Sequence, residues 1–235
     1  MTKRRRSVIA VCALVAAALL TGIANGPDGG PVDCRTARCV ALTFDGGPGP
    51  STGALLDVLE DRHVPAAFFL VGKGPVHKHP DLVRRIAAEG HEVGNHSWTG
   101  PRLNEVPPRE ARRQLAQTQD VLARLTDRPP TLMRPPRGRT DRNVAALCRE
   151  LGLAQILWNS ATADRREHDP QVIAERVLRS AEPGGIIQLN DLHAGTAAAL
   201  PAIVGGLRER GFRLVSLERL FAPRKPAPGA VYRHA

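Results

Sequence analysis

An apolar run from Val40 to Phe44 stops at Asp45, and Gly46, Gly47 and Pro48 follow. A run that ends in glycine and proline reads as a buried strand closing in a tight turn. The turn holds one carboxylate at the C-terminal tip of the strand. Further apolar runs end on Asn95-His96, Arg134, Trp158-Asn159 and Asn190-Asp191. A carboxylate can move a proton or bind a metal, and an imidazole can do the same. A guanidinium can only donate, and an amide has no titratable proton near neutral pH. These residues do joint chemistry only if one face of one fold gathers them.

The elements between them suggest such a face. Strands are expected at 40–44, 66–71, 92–95, 131–134, 155–158, 185–189 and 213–216. Helices are expected at 51–62, 80–89, 108–126, 141–151, 170–180 and 195–209. Several helices start at proline or a capping serine or aspartate, and several stop at Gly90, Gly152 or Gly211. Strands alternating with amphipathic helices argue for a parallel α/β sheet. The periodicity leaves open whether that sheet is flat or closed. In a closed barrel, chemistry sits at the C-terminal ends of the strands, where the polar residues above fall.

The segment Thr43-Phe44-Asp45-Gly46-Gly47-Pro48 resembles the opening TFDDGP motif of the polysaccharide deacetylases, the NodB-homology or carbohydrate esterase family four proteins. Four further motifs follow in the family's order: His96 to Gly100, Arg134 to Gly138, Trp158 to Arg165, and Ile186 to Asp191. The resemblance spans about 39–221 and implies a distorted (β/α) barrel of about seven parallel strands. It implies that Asp45 matches the catalytic base and that Arg134 orients it. It implies that Asp164 is the acid partnering that arginine, and that His96 is one ligand of a divalent metal such as zinc or cobalt.

Several positions depart from the family pattern. Gly46 stands where a metal-binding acid belongs, and Gly100 where a second ligand histidine belongs. Asn190 replaces the histidine that protonates the leaving group, while Asp191 is kept. Arg137 and Arg165 stand where aromatics are usual. A catalytic divalent metal needs about three protein ligands and an open position. It also supplies the lowered water pKa and the Lewis acid. One histidine is not such a site, so no tightly bound cofactor is expected. His193 is a reserve proton donor or a surface loop histidine. Asp191 is a reserve ligand or a structural acid capping its loop. Trp98 and Trp158 could stack on a sugar or pack in the core. The cluster of Asp45, Arg134 and Asp164 can also persist as a purely structural charge network. His63, His77, His79, His91 and His168 are expected away from the catalytic end.

Residues 1–24 carry Lys3 to Arg6 and then an apolar stretch, Val8 to Ile23. That is the pattern of a signal peptide, with an uncleaved N-terminal anchor as the alternative. Residues 25–38 read as a linker and 222–235 as a frayed tail. The chain has 235 residues and a formal charge of +10, and four of those charges lie in the leader. A basic exported protein is drawn to anionic surfaces such as a cell wall. Arginines are spread along helices with no aromatic interleaving, which argues against a nucleic-acid partner. Cys34 and Cys39 form a local disulfide in an exported chain, or remain two thiols. Cys148 reads as a buried free thiol.

The expected function is that of a secreted or cell-surface protein that binds or acts on glycans of N-acetylglucosamine, such as peptidoglycan or chitin, with catalysis impaired or lost because two metal ligands and the acid are replaced. Two alternatives remain at this point: an active deacetylase with an altered site, and a structural wall protein whose groove binds nothing. Membrane contact is expected only through the N-terminal segment.

Overall fold

The computed structural model describes residues 32–235. The leader at 1–24 and the first part of the expected linker lie outside those residues. Strand β1 (Cys39–Asp45) is buried along its whole length. Its two faces serve different cores, as the two-residue period of a strand requires. Val40, Leu42 and Phe44 pack outward against Leu55 and Leu56 of α1 (Thr52–Asp61) and Leu200 and Ile203 of α6 (Ala194–Glu209). Ala41 packs inward with Phe69, Ile156 and Ile186. Thr43 and Asp45 share the inward face with Ala41, and at the top of the strand that face turns polar.

Every ladder between the strands is parallel. The order runs β6 (Ser160–Ala161), β7 (Gly185–Asn190), β1, β2 (Ala66–Leu70), β3 (Glu92–Asn95), β4 (Leu132–Met133), β5 (Ala154–Ile156) and β9 (Val231–Tyr232). A short β8 (Arg213–Leu214) pairs with the lower end of β1. Helices α2 (Pro80–Ala88), α3 (Pro108–Thr126), α4 (Arg142–Glu150) and α5 (Pro170–Ser180) join the strands, and α7 (Leu217–Phe221) follows β8. Asp141 and Asp169 accept from the first free N–H groups of α4 and α5 and so set where those helices begin. The sheet curls into the distorted barrel expected from the motifs. Strands β6 and β9 add two short staves to the seven expected.

The tail at 222–235 is not frayed. Gln155 N–H donates to Ala230 O at 2.9 Å and Leu157 N–H to Tyr232 O at 2.7 Å. Ala235 N–H then donates to Gly184 O at 3.0 Å, and His234 bridges to Gly185 at the start of β7. The C-terminal segment therefore spans the gap between β5 and β7. The Tyr232 ring packs on Phe221 at 5.1 Å. Its Pro, Arg and Gly composition conceals this, because only Val231 and Tyr232 occupy ladder positions. The end of the linker is likewise part of the domain. Cys34 and Cys39 are joined by a disulfide, and Val32, Cys34 and Ala37 pack against the inner core. Cys148 is buried and free.

Candidate functional site

Arg134 is fully buried at the end of β4 and organises the floor of the barrel mouth. Its Nη1 donates to Asp45 Oδ1 at 2.7 Å and to Thr43 Oγ1 at 2.8 Å. Its Nε and Nη2 donate to the carbonyls of Ile156 and Leu157 at 2.8 and 3.1 Å. The guanidinium carbon lies 4.2 Å from the Phe69 ring centroid and 5.5 Å from that of Trp158. Burial disfavours this cation, and the Asp45 carboxylate opposes that effect. The second oxygen of Asp45 accepts from Gln188 Nε2 at 3.3 Å. Gln188 and Asn190 are inward positions of β7, two residues apart, and Asn190 stands beside Asp45 in the ladder. Gln188 escaped the motif reading, although its i−2 spacing from Asn190 puts it on the same face.

His96 follows the tip of β3. Its main-chain N–H donates to Leu70 O at 2.9 Å, and its Nδ1 lies 2.8 Å from the carbonyl of Arg134. A carbonyl only accepts, so Nδ1 carries the proton and Nε2 keeps a free lone pair. Burial pushes the imidazole below its ordinary pKa, against the pull of Asp45. The ring is therefore neutral near pH 7. The loop after it is tied down from below. Asn95 Oδ1 accepts from Ser97 N–H at 2.8 Å, and Ser97 Oγ accepts from Gly100 N–H at 3.1 Å.

Asp164 does not partner Arg134, contrary to the motif expectation. Its Oδ2 accepts from Asn190 N–H at 2.7 Å and from Thr196 Oγ1 at 2.8 Å, and its Oδ1 accepts from Asn190 Nδ2 at 2.7 Å. The Asp164 loop lies beside the end of β7, on the far side of Asn190 from Arg134, so the residue at position 190 takes this carboxylate instead. Because a carboxylate only accepts, the amide nitrogen of Asn190 faces Asp164 and its Oδ1 faces away.

Asp191 is buried behind this layer. Thr52 Oγ1 donates to its Oδ2 at 2.9 Å, and its Oδ1 has no partner. Burial pushes its carboxyl up to about 7, the charge of Asp45 adds to that, and donors from Thr52 and Gly47 oppose it. A Cβ at Gly47 would lie 1.8 Å from Asp191 Oδ2, so only glycine lets the turn after β1 close over this acid. Asp191 thus anchors the turn that carries Asp45.

The remaining expected residues are more peripheral. His193 is the half-buried residue before α6, and its ring stacks edge-on against His168 at 5.3 Å. His168 follows β6 and His77 follows β2, so both belong to loops at the C-terminal ends of strands rather than away from that end as expected. Trp98 packs against His77 at 5.2 Å and over Gly72, where a Cβ would lie 2.2 Å from the indole. Trp158 covers Arg134 and Gly138. Arg137 and Arg165 are exposed, and the Arg165 charge is felt at His96.

The residues present do not fit a tightly held divalent metal. His96 Nε2 is a free ligand, but Gly46 and Gly100 contribute no side chain. Among the described residues no group of three His, Cys, Asp or Glu side chains could hold such an ion. Position 46 is also crowded. Gly46 has a φ of +100°, and a Cβ there would meet Leu192 Cδ1 at 3.2 Å. A leucine, missed by the motif reading, thus sits against position 46.

The sequence matches the polysaccharide deacetylase family over residues 33–156. The peptidoglycan-N-acetylglucosamine deacetylase PgdA of Listeria monocytogenes is 36% identical over 188 residues, covering 80% of this chain. The chain spans only 40% of that relative's length. A solved structure described as T48 deacetylase with substrate superposes with a TM-score of 0.81 at 35% identity, covering 86% of this chain and 99% of that one. Another, a mutant of BA3943 described as a CE4 family pseudoenzyme with restored enzymatic activity, superposes with a TM-score of 0.75 at 28% identity, covering 79% and 68%. The chain belongs to the polysaccharide deacetylase family.

Proposed function

We propose that this protein is an exported glycan-binding member of its family that does not carry out metal-dependent deacetylation. One observation carries the reading. The mouth of the barrel keeps its buried Asp45–Arg134 pair and the His96 imidazole, while 46 and 100 are glycine and 190 is asparagine, the positions that the motif resemblance gives to two metal ligands and the acid. Without a metal, no Lewis acid stabilises the tetrahedral oxyanion and no bound water has a lowered pKa. Without a titratable group at 190, a leaving amine receives no proton there. The fold persists, which supports retained binding. The names of its relatives support a glycan of N-acetylglucosamine, with peptidoglycan first. The leader pattern supports a location outside the cell or on its surface.

The test measures metal content of the purified protein, acetate release from peptidoglycan and chitooligosaccharides with added zinc or cobalt, and binding to the same polymers. The expected result is retention on polymer with neither stoichiometric metal nor acetate release. Acetate release that Asp45→Asn abolishes would establish the altered-enzyme reading instead. Absence of binding to every wall polymer would leave only a structural role.

A further inference from the structure

We propose that the floor of this groove recognises a primary ammonium, so that the protein reads the deacetylated amino sugar in a glycan in preference to the acetylated one. The inference rests on the glycan-binding reading above and sharpens its ligand.

Three polar groups gather at the mouth: the Asp45 carboxylate, His96 Nε2 and Asn190 Oδ1. Asp45 and Asn190 are ladder partners on the inward face of β1 and β7. Asp45 and His96 are joined through Arg134, whose guanidinium binds the first and whose carbonyl binds the second. Each of the three offers a hydrogen-bond acceptor and has no donor left over. The proton of His96 is committed to Arg134 O, and the amide hydrogens of Asn190 face Asp164. Arg134 is fully buried, with its donors turned to Asp45, Thr43 and two carbonyls. Gln188 Nε2 is taken by Asp45 and by Leu189 O.

Charge points the same way. Two carboxylates, Asp45 and Asp164, are buried at this end of the barrel against one buried cation, Arg134. Asp191 adds a third carboxyl behind them. Buried carboxylates in excess of buried cations favour a positive ligand. A divalent metal is poorly served, since His96 and Asp45 alone do not complete its shell. An alkylammonium carries one positive charge and three N–H donors, which match three acceptors. An acetamide carries one N–H and a carbonyl that would face only other acceptors. Arg165 opposes a cation, but it is exposed at the rim, where solvent and salt screen it.

The test is a calorimetric titration of the protein with chitotetraose and with its fully deacetylated counterpart, at pH 6 and moderate salt. The deacetylated tetramer is expected to bind at least about tenfold more tightly, the scale of one charge-assisted contact. Asn190→Ala and Asp45→Asn should each erase most of that preference. If Asp45→Asn fails to fold, Asn190→Ala still reads the effect. Equal or tighter binding of the acetylated tetramer would overturn the proposal and leave the glycan-binding reading standing. A preference unchanged in Asn190→Ala would also overturn it. Binding of neither tetramer would overturn this proposal, and the wall-polymer assay above would then decide the broader one.

Discussion

Asn190 and Asp164 grip each other at two points. The main-chain N–H and the side-chain amide of Asn190 each donate to a different oxygen of Asp164 at 2.7 Å. Asp164 therefore holds the upper end of β7 and fixes which way the amide faces. Asp164→Ala should cost about 3–5 kcal/mol, because it strands buried donors on Asn190 and Thr196. Asn190→Ala keeps the main-chain contact and should cost only about 1–2 kcal/mol. Denaturant unfolding of both variants checks the order, and equal losses would show that the main-chain and Thr196 contacts add nothing to stability.

Restoring the metal site should be limited more by position 46 than by position 100. Both glycines have a left-handed φ, +100° at 46 and +75° at 100, so a side chain is strained at either, but an aspartate at 46 must also displace Leu192, whereas a Cβ at Gly100 meets nothing within 4 Å. The backbone strain at each is roughly 1–3 kcal/mol. Gly46→Asp with Gly100→His and Asn190→His should gain zinc weakly, and adding Leu192→Ala should tighten it. Metal content after dialysis, with melting temperature alongside, separates the two. Equal zinc occupancy with and without Leu192→Ala would remove the role assigned to that leucine.

Stability should fall as pH rises toward 7. Burial pushes both Asp191 and Glu92 up to about 7 in the fold. In the unfolded chain such groups titrate near about 3.9 and 4.3. Between those values and 7 the native state holds protons that the unfolded state has lost. The stabilisation is thus complete below about pH 4 and is lost on ionisation, by at most about 4 kcal/mol per group. Glu92 is partly compensated, since it accepts from the N–H groups of Leu217 and Glu218 at the start of α7. Melting temperature measured from pH 5 to 8 should decline, and Asp191→Asn should flatten the slope. A variant with the same slope as the parent would place the titration elsewhere.

Much of this protein was legible in the chain itself. Apolar runs stopped by glycine and proline located seven strands, and the order of the motifs identified the barrel and its family. The residues at 46, 100 and 190 are read just as directly, because a residue's identity is a local fact. Partnership is not local, and there only the tertiary structure decided. Asp164 pairs with Asn190 rather than Arg134, because the loop that carries it lies beside the end of β7. Gln188 joins Asp45 because a parallel ladder sets their strands side by side, inward face to inward face. The C-terminal segment closes the barrel although its composition suggests a loose end, since two ladder residues and a few main-chain hydrogen bonds suffice. Leu192 reaches Gly46 only because the turns after β1 and β7 meet. Local residue patterns set where elements begin and end, while the contacts between elements depend on distances that sequence separation does not encode.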